Sequence, residues 1–516
     1  MSKISMVQVP IWLTQSIYPK STLYNVGGYA LISGNISEGV LVNAIKDVLN
    51  STDALEIAYN IFNETSQIIS PLSSKFEIAI IDLSAADDAD HACLNWIYED
   101  IDKPLNLSEY LLKVALVKCA SDKYYWYTKV HHLAFDGYSM SLFFNSVAAL
   151  YTKRVKGLDA SVESTSYAEF IENEAVYRES QNYQVDAVFW NNRLSGDNFE
   201  KAFQTCVEAV GVDTMSSRRE NLVISRESFS LISQFCELQN CSVFHFFLAL
   251  ILALNKKYGN PDTVIGIPVF NRINKSFKKT LGTFVNVLPF SAPFAAESSF
   301  ADVLSLIKAE LNQCFRHQRF PISEMLTQVN RRGNLYNVTF SYQKNAYDSL
   351  LGNASTVIQY LSSGYQQDDL IFHLLEYSSE SDLILSVDYK SDLFKESIIR
   401  NLLTHFDNLL REVIAHPDVP ISELDYLSAA ERKELLESFN DTAVAYPEEE
   451  TLVSLFEAQA AQAAGSPALV FGEQTLSYSE LNGLSNRLAH FLRLRGVGRE
   501  DLVGIMQDRS EWLVIS

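Results

Sequence analysis

Hydrophobic and polar residues recur along the chain in two kinds of pattern, one typical of strands and one typical of helices. The chain is therefore predicted to be a mixture of strands and helices. Residues 124–130 are rich in aromatic and β-branched side chains, which favours a strand. Residues 139–151 place apolar side chains at helical spacing, which favours an amphipathic helix. The segment between them, residues 131–137, reads His-His-Leu-Ala-Phe-Asp-Gly and is predicted to connect the strand to the helix. Connections at strand ends often carry functional residues.

The next part of the chain repeats this mixture of patterns. Residues 244–254 are apolar nearly all round, which predicts a buried helix. Residues 262–268 and 284–290 each favour a strand. Two halves of similar size, both α/β, are therefore predicted before residue 425.

A linker is predicted after these two halves. Prolines at residues 417–420, and the segment 441–447 followed by three glutamates, are typical of a linker. Beyond it, residues 455–464 and 482–495 favour helices. The chain stops inside an apolar run at residues 512–516, and we expect a truncated domain there because such a run needs burial.

The predicted organisation has four parts. They are an N-terminal lobe at residues 1–175, a C-terminal lobe at 176–425, a linker at 426–450 and the start of a further domain at 451–516.

Composition excludes several classes of partner. The formal charge of −22, from 41 basic and 63 acidic residues, disfavours nucleic acid because an acidic surface repels phosphates. No apolar run reaches the length of about 18 residues that a membrane span needs, and the N-terminus does not resemble a signal peptide. The six cysteines lack C-x-x-C and zinc-like spacing, so we expect free thiols and a cytoplasmic location.

The paired histidines are the strongest candidate for chemistry. His131 and His132 point to opposite faces if the segment is extended, so one can face a cavity while the other anchors the loop. Asp136 and Gly137 suit a tight turn, with glycine allowing a close approach or a positive φ. A neutral imidazole can take a proton from an attacking amine or hydroxyl, or position that nucleophile, and the sequence leaves both roles open.

Sequence blocks around this segment resemble one known superfamily. His131-His132-x-x-x-Asp136-Gly137 matches the HHxxxDG signature of condensation domains of nonribosomal peptide synthetases, which are related to chloramphenicol acetyltransferase. Further blocks resemble the same family in the same order; they lie at residues 5–12, 167–170, 189–190, 266–289 and 317–321. Residues 476–488 resemble the first core motif of an adenylation domain, and the chain ends before the motifs that bind ATP.

The resemblance implies a fold, a reaction and a set of partners. The fold would be α/β, with two chloramphenicol-acetyltransferase-like lobes that form a V around a central tunnel. A donor acyl thioester and an acceptor aminoacyl thioester would enter on the phosphopantetheine arms of two carrier proteins, and the acceptor amine would attack the donor carbonyl. The partners would be a donor carrier in trans and a downstream acceptor carrier and adenylation domain. No metal or bound cofactor is implied.

The same resemblance assigns site residues. His132 would be the active-site histidine, His131 and Asp136 its supports, and Gly137 the point where the loop backbone approaches the reacting centre. Arg272 and Asn286 would lie near the tunnel between the lobes.

One position departs from the family pattern. Many relatives carry an arginine that pairs with the signature aspartate, but Glu56 stands there in this sequence. Because a buried unpaired carboxylate is costly, we predict another cation beside Asp136, from Arg272, Arg331 or Arg332, or a Glu56 that faces solvent.

The donor and two other functions stay open from the sequence. The signature starts about 130 residues from Met1, which predicts an initiating module. Its donor would be an aryl group, as in siderophore synthetases, or a fatty acyl group, as in lipopeptide synthetases. A peptidyl donor that arrives from a separate chain is the alternative. A recruitment platform without activity and an ester-forming acyltransferase are the alternatives. The intact HHxxxDG signature argues against the platform.

Overall fold

The computed structural model describes residues 4–63, 76–107, 109–195, 200–207, 214–260, 262–328, 335–344, 350–377 and 381–516. The chain divides into two compact units, Met1–Ala429 and Ala430–Ser516. Each unit is described by itself below.

The strands of the larger unit form two sheets, here named the first and the second sheet. Strands of the first sheet are β1 (Asn25–Ser33), β2 (Phe76–Asp82), β3 (Leu112–Ala120), β4 (Lys123–His131), β9 (Leu350–Leu351) and β10 (Ala354–Leu361). Strands of the second sheet are β5 (Ser217–Ile224), β6 (Ile265–Val269), β7 (Asn286–Phe290), β8 (Val338–Lys344), β11 (Leu370–Glu376) and β12 (Leu383–Lys390).

Helices surround both sheets. They are α1 (Gln8–Ile17), α2 (Glu38–Asn50), α3 (Ala54–Asn63), α4 (Ala89–Ile101), α5 (Gly137–Val155), α6 (Ala168–Arg178), α7 (Gln181–Leu194), α8 (Arg226–Leu238), α9 (Val243–Lys257), α10 (Phe300–Arg316), α11 (Ile322–Gln328) and α12 (Glu396–Ala415). The next helix, α13 (Ala429–Leu436), belongs to the smaller unit except for its first residue.

The first sheet has the strand order β2-β3-β4-β1-β10-β9, and its strand β4 is buried on both faces. Side chains of β4 alternate between those faces: Trp126 and Val130 join the core that contains α2 and α5 residues, whereas Tyr125 and Tyr127 join the core beside α4. Burial on both faces explains why this strand is continuously apolar and aromatic. His131 is the last residue of β4, so the sheet fixes where the paired histidines begin.

The second sheet has the strand order β5-β12-β11-β8-β6-β7 and packs against a single large core. Helix α9 supplies the centre of that core, and ten of its residues from Phe246 to Asn255 are buried. A capping box starts this helix: the Ser242 hydroxyl accepts from the His245 amide, and His245 Nδ1 accepts from the Ser242 amide. Ser242 is therefore the N-cap of α9, and His245 is its partner in the capping box.

The sequence predicted several of these elements. The strand expected at 124–130 is β4, the helix expected at 139–151 is α5, and the buried helix expected at 244–254 is α9. The predicted mixture of α and β structure is confirmed.

The two lobes are less separate in sequence than predicted. Strands β9 and β10 fall inside the predicted C-terminal lobe at 176–425, yet β10 pairs antiparallel with β1 from Gly27–Leu361 to Ser33–Ser355. The pairing extends the first sheet beyond β1 and covers an edge that would otherwise expose unpaired backbone groups. The prediction of a first lobe confined to residues 1–175 is corrected accordingly.

The predicted linker also differs from the structure. Residues 426–450 contain the whole of α13, which begins at the division between the two compact units. This helix has no buried residue, so it is held by local interactions rather than by a core.

The smaller unit combines a hairpin with helices. Strands β13 (Pro467–Phe471) and β14 (Gln474–Ser477) pair antiparallel, and the helices are α14 (Leu452–Gln462), α15 (Tyr478–Leu494) and α16 (Glu511–Ile515). The buried hydrophobic residues of this unit are Ala460, Leu481 and Ile515. Helices α14 and α15 correspond to the two predicted at 455–464 and 482–495.

Candidate active site

The segment from His131 to Gly137, here named the histidine loop, joins β4 to α5. Its first two residues are fixed by the main chain of neighbouring segments. The His131 amide donates to the Leu111 carbonyl at 2.9 Å, and the His132 amide donates to the Tyr24 carbonyl at 2.8 Å. The predicted position of the histidines between a strand and a helix is confirmed.

His131 is an anchor inside the protein. Its side chain is buried, its Nδ1 accepts from the Leu133 amide at 3.1 Å, and its Nε2 lies 3.1 Å from Oε1 of Gln15. Because Nδ1 accepts a hydrogen bond, Nε2 carries the proton and donates to Gln15. Burial, and then the neighbouring His132, lower the pKa of His131 to about 3, so this ring stays neutral.

His132 points the other way and lines a cavity. Its carbonyl accepts from the hydroxyl of Thr283, which belongs to the segment before β7. Burial lowers the pKa of His132 below its ordinary value, while its own backbone carbonyl and the charge of Asp136 act in the opposite direction. The ring is therefore neutral at pH 7 and presents an unprotonated nitrogen. The predicted division of the two histidines between anchor and cavity agrees with this geometry.

Asp136 is the most densely bonded side chain of the loop. Its Oδ1 accepts from the Ser139 amide at 2.9 Å and caps α5, and its Oδ2 accepts from the Phe284 amide at 3.0 Å. Burial alone raises its pKa, but the guanidinium of Arg272 and these two backbone donors outweigh burial and hold the pKa below its ordinary value. Asp136 is thus a carboxylate that ties the loop to the segment before β7.

The predicted replacement cation for Asp136 is Arg272. Its two terminal nitrogens lie 2.7 Å and 3.0 Å from the carboxylate oxygens of Asp136, and both side chains are almost fully buried. The guanidinium also donates to the Ser139 hydroxyl at 2.8 Å and lies 4.1 Å from the centre of the Phe284 ring. Glu56 lies half-buried on α3, and Arg331 and Arg332 lie outside the described residues.

The segment that meets the histidine loop is shaped by Gly282. The hydroxyl of Ser139 donates to the Gly282 carbonyl at 2.7 Å and accepts from its amide at 3.0 Å. A Cβ atom at this position would lie 2.2 Å from the ring of Tyr167, so only glycine fits. The hydroxyl of Tyr167 in turn donates to the Thr283 carbonyl.

Two predicted site residues have surroundings different from those expected. Gly137 has neither a positive φ nor a close neighbour, since a Cβ there would meet no atom within 4 Å. It leaves open space at the start of α5, beside the cavity. Asn286 donates to the carbonyls of Gln318 and Phe320 at 2.9 Å and 2.8 Å, whereas the cavity lining comes from its strand neighbours Val285 and Val287. Successive side chains of a strand face opposite sides, which explains the difference.

The cavity beside His132, here named the histidine cavity, has a volume of about 580 Å³ and lies between the histidine loop and the second sheet. Its wall from β6 and β7 is apolar and includes Val269, Phe270, Val285 and Val287. Its wall from β8 and β11 is mostly polar; besides Tyr342 and Ile371, the residues are Thr339, Ser341, Gln343, Lys344 and His373. Sequence reasoning missed this polar wall, because single polar residues within strand patterns carry no local signal.

Other features of the described residues bear on the class of site. No three His, Cys, Asp or Glu side chains cluster as a metal site would require within that part of the chain. No single described helix has the length and apolarity to cross a membrane, and the pair α8 and α9, bent by 99°, passes such a test only by length and composition.

Comparison with known proteins identifies the family. The Condensation domain family matches residues 1–436, and the AMP-binding enzyme family matches residues 456–516. Tyrocidine synthase 2 of Brevibacillus parabrevis is 27% identical over 530 residues, which cover 99% of this chain and 14% of that protein. Surfactin synthase subunit 1 of Bacillus subtilis (strain 168) is 26% identical, over 98% of this chain and 14% of that protein. The chain thus spans about a seventh of the length of these relatives.

Solved structures show the same fold. The starter condensation domain of rhizomide synthetase RzmA, as mutant R148A in complex with C8-CoA, has a TM-score of 0.72 and 22% identity, over 82% of this chain and 97% of that one. The first condensation domain of the calcium-dependent antibiotic synthetase has a TM-score of 0.71 and 21% identity, over 82% and 98%. The predicted fold class, with two chloramphenicol-acetyltransferase-like lobes, is confirmed. The family's enzyme class, an acyltransferase that forms amides, is the one predicted. The chain belongs to the condensation-domain family of nonribosomal peptide synthetases, and within the chain the condensation domain is followed by the start of an adenylation-type domain.

Proposed function

We propose that this condensation domain forms an amide between a carrier-bound donor acyl thioester and the amine of a carrier-bound acceptor aminoacyl thioester. The observation that carries the proposal is a neutral His132 on the wall of a 580 Å³ cavity between the histidine loop and the second sheet. A neutral ring nitrogen can accept a hydrogen bond from an amine, and it thereby directs the nitrogen lone pair at the donor carbonyl.

The proposed roles of the loop residues follow from their contacts. The lowered pKa of His132 makes its ring a weaker proton acceptor, so the role we propose is to orient the amine by a hydrogen bond. His131, Asp136 and Arg272 hold that ring in place, and Asp136 and Arg272 also line the cavity. Gly137 leaves space at the start of α5 for the arm or acyl group, and Asn286 supports the segment after α10 rather than the substrate path.

We further propose an acyl or aryl donor at an initiating module. The apolar wall of the histidine cavity suits an uncharged acyl chain or ring. A solved structure of the same fold is a starter condensation domain in complex with C8-CoA. The two matched families are a condensation domain and an AMP-binding enzyme, and neither is a carrier domain. Both phosphopantetheine arms would therefore come from carrier proteins outside residues 1–436. The donor carrier would act in trans, and the acceptor carrier would lie downstream.

The test is a reconstitution with a benzoyl- or octanoyl-loaded donor carrier and a leucyl-loaded acceptor carrier. The expected product is the N-acyl-leucyl thioester on the acceptor carrier, detected by mass spectrometry. His132→Ala should abolish it, and His91→Ala, at an exposed position on α4, is the matched control. Carrier binding without product from wild type would favour the recruitment platform. Product from a hydroxyl acceptor but not from an amine would favour the ester-forming alternative.

A further inference from the structure

A second cavity, here named the carboxylate cavity, lies beside the histidine cavity. It has a volume of about 620 Å³ and lies between α1, α11 and the segments that lead into β8 and β11. Its lining includes Pro10 and Leu13 of α1, Ile322 of α11, and Tyr336 and Asp368. Its size is close to that of the histidine cavity, although its lining is different.

A single hydrogen bond joins the linings of the two cavities. The hydroxyl of Thr339 donates to Oδ2 of Asp368 at 2.5 Å. Thr339 lines the histidine cavity and Asp368 lines the carboxylate cavity. A group bound at Asp368 therefore lies one side chain away from the cavity that contains His132.

Asp368 differs from the carboxylate next to it in sequence. Asp369 is buried and paired: Lys201 lies 3.4 Å and Lys390 3.7 Å from its carboxylate oxygens, and Asn337 donates to it at 3.0 Å. Within the described residues, no Lys, Arg or His side chain forms an ion pair with Asp368. Burial raises the pKa of Asp368 to about 6; the charge of Asp369 adds to this effect, whereas the Thr339 hydroxyl and the charge of Lys390 oppose it. Asp368 is therefore mainly an anion at pH 7.

An aromatic side chain completes the surroundings of Asp368. Burial, followed by the negative charge of Asp368, raises the pKa of Tyr336 well above its ordinary value. A carboxylate without an ion pair beside an aromatic ring is a favourable environment for an organic ammonium group, which gains both a charge-assisted hydrogen bond and a cation–π contact.

We propose that the carboxylate cavity receives the amine-bearing acceptor and that Asp368 binds its ammonium group next to the histidine cavity. This inference rests on the proposed function. It assigns the two substrates to the two cavities by chemistry, because the uncharged acyl donor suits the apolar wall and the cationic acceptor suits a carboxylate that has no ion pair within the described residues. The ammonium is either the α-amino group of the acceptor or an amine on its side chain. An α-ammonium would pass one proton to the Asp368 carboxylate before attack, so that the neutral amine is the species that His132 orients. Asp368 is a binding residue, and His132 remains the residue at the reacting centre.

Direct binding of small probes to the full chain tests this inference. The probes are the N-acetylcysteamine thioesters of leucine, of ornithine and of N-acetyl-leucine, which lacks an ammonium group. Wild type should bind the leucyl probe more tightly than the N-acetyl-leucyl probe. Asp368→Asn should lower the affinity for the leucyl probe about 10- to 100-fold and leave the affinity for the N-acetyl-leucyl probe unchanged. If Asp368→Asn weakens only the ornithyl probe, the ammonium recognised is on the acceptor side chain.

Two further variants control for charge and for folding. Glu324→Gln removes the same charge from the lining of the same cavity, where Glu324 pairs with Arg178 at 2.7 Å, and it should leave probe affinity unchanged. Thr339→Val removes the hydroxyl and keeps the carboxylate, so the preference for ammonium should persist. A wild type that binds the leucyl, ornithyl and N-acetyl-leucyl probes with equal affinity overturns the inference without any variant. Equal affinity of Asp368→Asn and wild type for both ammonium probes overturns it as well.

The two proposals fail in distinguishable ways. Ammonium binding that depends on Asp368, with no amide product under any condition, would refute the proposed function. Amide formation that depends on His132, with no role for Asp368 in binding, would refute only this inference.

Discussion

The two sheets of the larger unit have the same number of strands but contribute different parts of the site. The first sheet ends β4 at the paired histidines and presents His132 on a loop. The second sheet presents the flat wall of β6, β7, β8 and β11, which lines the cavity without an equivalent loop. The difference shows that neither sheet contains a complete site, so its geometry depends on how the two are held together.

Three junctions hold the sheets at this site. The Asp136–Arg272 ion pair joins the histidine loop to the segment after β6, and the Thr283 hydroxyl bonds to the His132 carbonyl. Strand β10 pairs with β1, which places part of the chain between β8 and β11 in the first sheet. The histidine cavity lies between the parts that these junctions join. Breaking the junctions one at a time therefore tests whether the site depends on how the two sheets are held together.

Arg272→Ala should give the largest effect, because it leaves the buried carboxylate of Asp136 without its cation. We expect a loss of about 3–5 kcal/mol in the free energy of unfolding, measured by chemical denaturation. Amide formation should fall with it, since Asp136 also caps α5. Arg218→Ala is the control, because Arg218 is exposed and lies 3.8 Å from Glu396. Equal effects of the two variants would show that the Asp136–Arg272 pair does not join the sheets.

Glu174→Gln should change how stability depends on pH. The carboxylate of Glu174 on α6 accepts from the Met6 amide at 2.8 Å, and burial raises its pKa to about 7. Between its unfolded pKa of about 4.3 and pH 7 the folded protein binds more protons than the unfolded one, so the stability of wild type falls as pH rises through this window. From pH 5 to pH 8 the unfolding free energy of Glu174→Gln should rise by about 2–3 kcal/mol relative to wild type. Parallel pH profiles for the two proteins would contradict the assignment.

Asn286→Ala should have the smallest of these three effects. It removes two hydrogen bonds to the carbonyls of Gln318 and Phe320 and should lower the free energy of unfolding by about 1–3 kcal/mol. Because the cavity lining comes from Val285 and Val287, the KM for the acceptor should stay near that of wild type at temperatures where the variant is folded. A large rise in KM with unchanged stability would show instead that Asn286 contacts substrate.

Local sequence patterns predicted those elements whose periodicity is set by their own burial. Strand β4 and helices α5 and α9 are examples, since each is buried along its length or along one face. The family signature located the histidine loop, and the missing arginine at Glu56 predicted a substitute cation for Asp136, which the structure shows to be Arg272.

The remaining features depend on contacts between segments far apart in sequence. Strands β1 and β10 are more than 300 residues apart in sequence, and no local pattern specifies that they pair. Asn286 was predicted near the tunnel, but the sequence did not specify its face of the strand, because a shift of one residue reverses the direction of a side chain. Asp368 gave no sequence signal, because its neighbour Asp369 looks identical in sequence and differs only in its partners.

The central claim is that the amine is oriented by a neutral His132, and a single-turnover rate measurement tests it most directly. A preloaded donor and acceptor are mixed with wild type, with His132→Ala and with His131→Ala, each at the same folded fraction. The rate of amide formation should fall by about 100-fold or more in His132→Ala while its free energy of unfolding stays near that of wild type. His131→Ala should instead lose about 1–3 kcal/mol of stability, because Gln15 and the Leu133 amide lose their partner. A wild-type rate in His132→Ala would contradict the account.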